Sequence, residues 1–152
     1  MIRRETRPLA AISRLNSMPN LPWDVCVLGV PASLQGSSSR RHRWKTEVAT
    51  AARAAWPGAD PPLVRPLRVK ITYFHNAAPL DVDNMIKPIQ DALIGIVYDD
   101  DKRVHDVSGS LRDLSGSFQL DRLTEALATG FLSKGPFVHI HIEEPPNMEV
   151  LP

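Results

Sequence analysis

Leu67-Arg68-Val69-Lys70-Ile71-Thr72-Tyr73-Phe74 sets apolar Leu67, Val69, Ile71 and Tyr73 against polar Arg68, Lys70 and Thr72. Strict alternation marks a strand with one face on a core, because successive side chains on extended backbone point to opposite sides. Beyond a loop through Pro79, Ile86, Ile89 and Leu93 recur at helical offsets and line one face. A helix is therefore expected over Asn84–Ile94, ended by Gly95. Pro88 suits a first turn but removes a hydrogen bond deeper inside, which puts the start close to Asn84 or Met85. Val104–Leu111 then reads as a strand of mixed polarity.

The same reading extends outward. Asp24–Val30 is short, β-branched and closed by Pro31, as a buried strand would be. The flexible Gln35-Gly36-Ser37-Ser38-Ser39 runs into the densest basic cluster, Arg40-Arg41-His42-Arg43-Trp44-Lys45. Trp44 to Trp56 has helical spacing and stops at Pro57-Gly58, and Pro61, Pro62 and Pro66 stiffen the next linker. Leu120–Phe131 reads as an amphipathic helix closed by Gly130 and Gly135. Phe137–Glu143 alternates again, Phe137, His139 and His141 opposite Val138, Ile140 and Ile142. The order β-α-β-α-β-α-β gives the fold class α/β, a small single domain with a mixed β-sheet packed by helices. The domain is placed at residues 23–144, between a basic arm at 1–22 and a Pro-rich tail at 145–152.

Composition narrows the class. A chain of 152 residues, 43% hydrophobic, fits one core. At that size about 68–70% of the unfolded surface is buried, so neither disulfide nor structural metal is needed. The lone Cys26 excludes a disulfide framework and points to a reducing compartment, hence a cytoplasmic protein. No apolar run approaches a membrane span, and Met1–Asn20, with Arg3, Arg4, Arg7 and Arg14, lacks the apolar stretch of a signal peptide. The net charge of +1 excludes a uniformly basic coat but hides a split. Residues 1–70 hold twelve Lys and Arg against four acids, a net of +8, and residues 71–152 hold six against thirteen, a net of −7. Basic arms meet phosphate and acidic clusters meet cations, so a polyanion partner and a metal site are both indicated.

The chemistry concentrates in Asp81-Val82-Asp83-Asn84-Met85-Ile86-Lys87-Pro88-Ile89-Gln90-Asp91 and in Tyr98-Asp99-Asp100-Asp101-Lys102-Arg103-Val104. Asp81 and Asp83 point to the same side of an extended segment, and Lys87 lies four residues beyond Asp83 on one helical face. Carboxylates and an ammonium group then converge on a small volume. Phosphodiester hydrolysis asks for charge neutralisation, an activated water and stabilisation of the leaving oxygen, which Mg²⁺ held by a few carboxylates supplies. Each fragment also has a plain structural reading: Asp83-Asn84 as a helix cap, Asp99–Asp101 as a solvated turn, and Lys87 with Asp91 as a surface ion pair worth about 0.3–0.5 kcal/mol. Histidines offer a competing zinc reading through His139, His141, His42, His75 and His105, but none has helical His-x-x-x-His spacing. No Gly-x-Ser-x-Gly elbow, phosphate loop or dinucleotide fingerprint is present.

At these residues the sequence resembles the RusA family of Holliday junction resolvases, the crossover-junction endodeoxyribonucleases of bacteria and their phages. The shared pattern is Asp81-Val82-Asp83-Asn84-Met85-Ile86-Lys87 opening a helix, then Asp100-Asp101-Lys102-Arg103-Val104. The likeness extends more weakly over residues 24–111, through Gly29-Val30-Pro31 and the basic loop before Trp44. It implies that Asp81, Asp83 and Asp101 bind Mg²⁺, with Mn²⁺ as a substitute, and that Lys87 assists at the phosphate. With three consecutive aspartates, Asp100 shares or replaces the role of Asp101. It also implies a homodimer, matching the two-fold symmetry of a four-way junction. Where family members carry basic residues before the acidic motif, this chain has His75-Asn76-Ala77-Ala78-Pro79-Leu80, so DNA contacts are expected to rely more on Arg40, Arg41, Arg43 and Lys45. The expected function is Mg²⁺-dependent, structure-selective cleavage of branched DNA, in recombination and repair. Its rivals are a non-catalytic phage-type DNA-binding accessory protein and a nucleotide-sugar transferase, whose Asp-x-Asp holds a metal-bound diphosphate.

Overall fold

The computed structural model describes residues 21–76 and 80–152. The basic arm expected over 1–22 lies, up to residue 20, outside them, as does the loop at 77–79 around Pro79. Among the described residues four strands form one sheet, β1 (Trp23–Leu28), β2 (Leu67–His75), β3 (Val104–Asp113) and β4 (Phe137–Glu143), in the spatial order β1-β4-β2-β3. β4 is antiparallel to both β1 and β2, whereas β2 and β3 are parallel. A parallel pair needs a crossover, supplied here by helix α2 (Val82–Leu93) and the short 3₁₀ turn Asp101–Arg103. Helix α1 (Ser38–Ala55) links β1 to β2, and α3 (Glu125–Leu132) links β3 to β4. This is the expected α/β domain with a mixed sheet.

The alternating strands sort their side chains as the sequence requires. Val69 and Ile71 of β2 and Ile140 and Ile142 of β4 are buried against Trp44, Val48 and Ala52 of α1 and Met85, Ile89 and Leu93 of α2. The opposite face has a smaller aromatic core, in which Phe74 stacks on Phe137 at 4.5 Å and Phe131 of α3 meets both edge-on, at 5.1 and 5.2 Å. The rest of that face is polar. His139 Nε2 lies 2.7 Å from Asp24 Oδ2, and His141 Nε2 lies 3.0 Å from Glu143 Oε2.

The helix boundaries differ from the sequence reading. α1 begins at Ser38, six residues before Trp44, because the Ser37 hydroxyl accepts the Arg40 N–H and caps it. The serine run that reads as a flexible loop thus contains a strong N-cap. α3 begins only at Glu125, capped by the Thr124 hydroxyl on the Leu127 N–H, and Leu120–Leu123 form no helix. Gly130 lies inside α3 instead of closing it, because a Cβ there would sit 2.3 Å from the Phe137 ring. The helix packs against the sheet where only a hydrogen fits.

α2 also starts earlier than expected, at Val82 with Asp81 as its N-cap residue, which leaves Pro88 in the interior. Pro88 has no N–H to offer the carbonyl four residues back, that of Asn84. The Asn84 carbonyl instead accepts the Leu34 N–H at 2.8 Å. The defect in the helix ladder is the point at which the loop between β1 and α1 docks on α2.

Candidate active site

Asp81 and Asp83 occupy the N-cap and first turn of α2. Both are exposed, and neither side chain has a hydrogen-bond or ion-pair partner among the described residues. The helix terminus favours negative charge there by a few tenths to about 1 kcal/mol. One turn on, Lys87 Nζ lies 2.7 Å from Asp91 Oδ1 and 2.9 Å from Asp101 Oδ2. Lys87 therefore ties α2 to the acidic turn across fourteen residues of chain.

The three consecutive aspartates are separated by what each one binds. Asp99 pairs in a bidentate fashion with Arg103, at 2.7 and 3.0 Å. Asp100 caps the 3₁₀ turn by accepting the Lys102 N–H at 2.9 Å. Asp101 faces Lys87, which holds its carboxyl below the usual carboxylate range, helped by the Asp100 carboxyl beside it. Asp91 and Asp101 together push the Lys87 ammonium above its ordinary value. The turn itself is seated by Tyr98, whose ring is fully buried and whose hydroxyl donates to the Gln90 carbonyl at 2.7 Å.

The basic cluster lies in the first two turns of α1, not in a loop. Arg40 donates to the Val30 carbonyl at 3.2 Å, and Arg41 donates to the carbonyls of Leu34 and Gly36. These two arginines brace the 30–36 loop that docks on Asn84. Arg43 is exposed with no partner among the described residues. Lys45 Nζ lies 3.6 Å from Asp91 Oδ2, so α1 and α2 are joined by a cation on the side where the acidic turn approaches.

The structure thus brings Lys87, Asp91, Asp101 and Lys45 together. Among the described residues no three His, Cys, Asp or Glu side chains are grouped closely enough to hold an ion, so Asp81 and Asp83 are not gathered with Asp101 into one ligand set. Sequence reasoning paired Lys87 with Asp91 but missed Lys45 as the second cation on Asp91, and it missed Tyr98 as the seat of the turn. No local pattern signals either of these contacts.

No curated protein matches the sequence. The family model for the endodeoxyribonuclease RusA matches residues 36–117, a span that includes α1, β2, α2, the acidic turn and β3. That is more than half of the chain, and it takes in every residue of the site just described: the chain belongs to the RusA endodeoxyribonuclease family.

Proposed function

We propose that the protein is a Mg²⁺-dependent endodeoxyribonuclease that resolves four-way DNA junctions as a homodimer, in the recombination and repair of a bacterial or phage cytoplasm. The observation that carries this reading is the pair of carboxylates, Asp81 and Asp83, without partners among the described residues, at the start of the helix whose Lys87 is bound to Asp101. Their donor set fits the metal. Every candidate ligand is a carboxylate oxygen, as a hard octahedral cation prefers, and Mg²⁺ asks for few protein ligands because it keeps several waters. Asp81 and Asp83 would hold it, and Asp101, which stands apart from them, would join only once the bound ion draws the acidic turn toward the start of α2. Asp100 stands beside Asp101, its carboxylate engaged with the Lys102 N–H. When bound, Mg²⁺ supplies charge neutralisation at the phosphate and a more acidic water.

The chain's own residues do the rest. Lys87, kept protonated by its two carboxylates, neutralises charge developing on the phosphate oxygens. A water oxygen bonds to phosphorus, the bond from phosphorus to one sugar oxygen breaks, and that oxygen leaves with a proton. Arg43 contacts the DNA backbone directly. Arg40 and Arg41 act through the loop that they brace, and their remaining N–H groups face phosphate. Lys45 adds charge at the α1–α2 seam.

Incubating the purified protein with a labelled four-way junction and a linear duplex, in Mg²⁺, Mn²⁺ or EDTA, tests the proposal. Cleavage should be confined to the junction and to the divalent metals. Asp83→Asn should lower cleavage at least about 10²-fold, the scale of losing a group that acts in the transition state, while junction binding stays within a few-fold. Normal cutting by Asp83→Asn would sink the mechanism, and junction binding indifferent to Mg²⁺ without any cutting would favour the non-catalytic alternative.

A further inference from the structure

The loop between β1 and α1 is held firmly and still presents an apolar side chain to water. Ala32 is fully buried and anchors its middle. Arg40 and Arg41 hold carbonyls on both sides of that anchor, those of Val30, Leu34 and Gly36. Within the loop the Ser33 carbonyl accepts the Gly36 N–H at 3.0 Å, and the Ser33 hydroxyl accepts the Gln35 N–H at 3.1 Å. Leu34 nevertheless stands 46% exposed and belongs to neither core cluster. An exposed leucine is ordinary on a protein surface. What sets Leu34 apart is where it is held.

Both polar groups of its backbone are taken up inside the chain. The N–H donates to the Asn84 carbonyl at 2.8 Å, and the carbonyl accepts from Arg41 at 3.0 Å. The isobutyl group is therefore what Leu34 has to offer a partner. Asn84 follows Asp83, so Leu34 is fastened to the first turn of the helix that opens with the two carboxylates. The same loop runs on into the basic first turns of α1. Phosphates crossing this surface gain nothing from an aliphatic side chain, whereas the face of a base does. In a linear duplex those faces are closed by stacking. At the branch point of a four-way junction the stack is interrupted, and apolar side chains that enter DNA do so between unstacked bases.

We infer that Leu34 is a wedge that packs against an unstacked base at the branch point and so selects branched over linear DNA. The inference rests on the junction-cleaving reading above and adds to it the residue that senses the branch. Opening a base from its stack costs free energy, and a loop that had to be ordered at the same moment would add a cost of its own. Here Arg40, Arg41 and the Asn84 carbonyl hold the loop in place before DNA arrives. The hydrogen bond to Asn84 also ties the wedge to Asp83, so one contact between the loop and α2 sets how far the cut falls from the branch.

A four-way junction carrying 2-aminopurine, a base that fluoresces when it leaves its stack, tests this on the full chain in Ca²⁺, which takes oxygen ligands as Mg²⁺ does. The wild type should brighten the probe at the branch point and leave it dark within an arm. Leu34→Ser should remove most of that brightening and weaken junction binding about ten-fold, the scale of losing one central contact at an interface, with binding of the linear duplex unchanged. Leu34→Met, apolar and of similar volume, should restore both. The variants keep the fold, because Leu34 lies outside both core clusters. Equal brightening by wild type and Leu34→Ser, duplex binding lost in step with junction binding, or a Leu34→Met that behaves as Leu34→Ser would each overturn the wedge. These readouts do not depend on cutting. Normal cutting by Asp83→Asn would overturn only the nuclease mechanism, and full brightening by Leu34→Ser beside an inactive Asp83→Asn would overturn only the wedge.

Discussion

Lys87 is shared between two carboxylates on different elements, and each partner changes how the other groups titrate. The Asp101 carboxyl titrates below its ordinary 3.8 because Lys87 stabilises its charged form. The sign follows from linkage: the contribution of Asp101 is complete above pH 3.8 and is lost as pH falls through the lowered value. For Lys87, raised above 10.5, it is complete below that pH and is lost as pH rises through the raised value. The bridge therefore stands across the neutral range. In Lys87→Met the carboxyl carbon of Asp101, followed by NMR, should titrate closer to 3.8, and an unchanged titration would show that Lys87 does not hold it. Junction cleavage by the same variant should fall about 10²-fold or more. At this scale the spacing in two short segments put Asp81, Asp83 and Lys87 at the start of one helix, but it did not show that Asp101 meets Lys87 while standing apart from Asp81 and Asp83. It was silent on which of three adjacent aspartates turns toward α2, since the answer lies in partners supplied by Lys102, Arg103 and Lys87 after folding.

Helices and strands were legible wherever an apolar period repeated, as in β2 and β4, and misjudged where one residue has two uses. Pro88 was read as a first-turn residue because the interior of a helix normally rejects it. The position is tolerated here because the freed Asn84 carbonyl is satisfied by the Leu34 N–H. Pro88→Ala returns a competing donor to that carbonyl, so the Leu34 amide should exchange hydrogen faster while α2 stays protected. Unaltered exchange at Leu34 would show that the loop is held by Arg40 and Arg41 alone. Gly130 was read as a helix stop by the same kind of default. Gly130→Ala forces a methyl into the Phe137 ring and should destabilise the fold by about 1–3 kcal/mol in urea melts, the usual cost of overpacking. In an open helix the same change would stabilise.

For the whole molecule, a net charge of +1 conceals a basic α1 facing the acidic turn across α2. Binding of junction DNA should weaken steeply with salt, because phosphate contacts release counterions. Arg43→Ala should lower the slope of log affinity against log salt by about one. A slope that does not change would remove Arg43 from the DNA-contacting set. Sheet order was the part of the architecture that alternation alone does not encode. The two central strands share one period, so alternation does not rank them, and the order β1-β4-β2-β3 is set by pairings between segments far apart in the chain. That order also has a meaning in time. β4, made last of the four, sits between β1 and β2, so β1 has no neighbour in the sheet until Phe137–Glu143 has left the ribosome. The half of the sheet under α1 then waits on the end of synthesis, and a nascent chain that already carries every residue of the acidic motif has no finished platform on which to grip DNA.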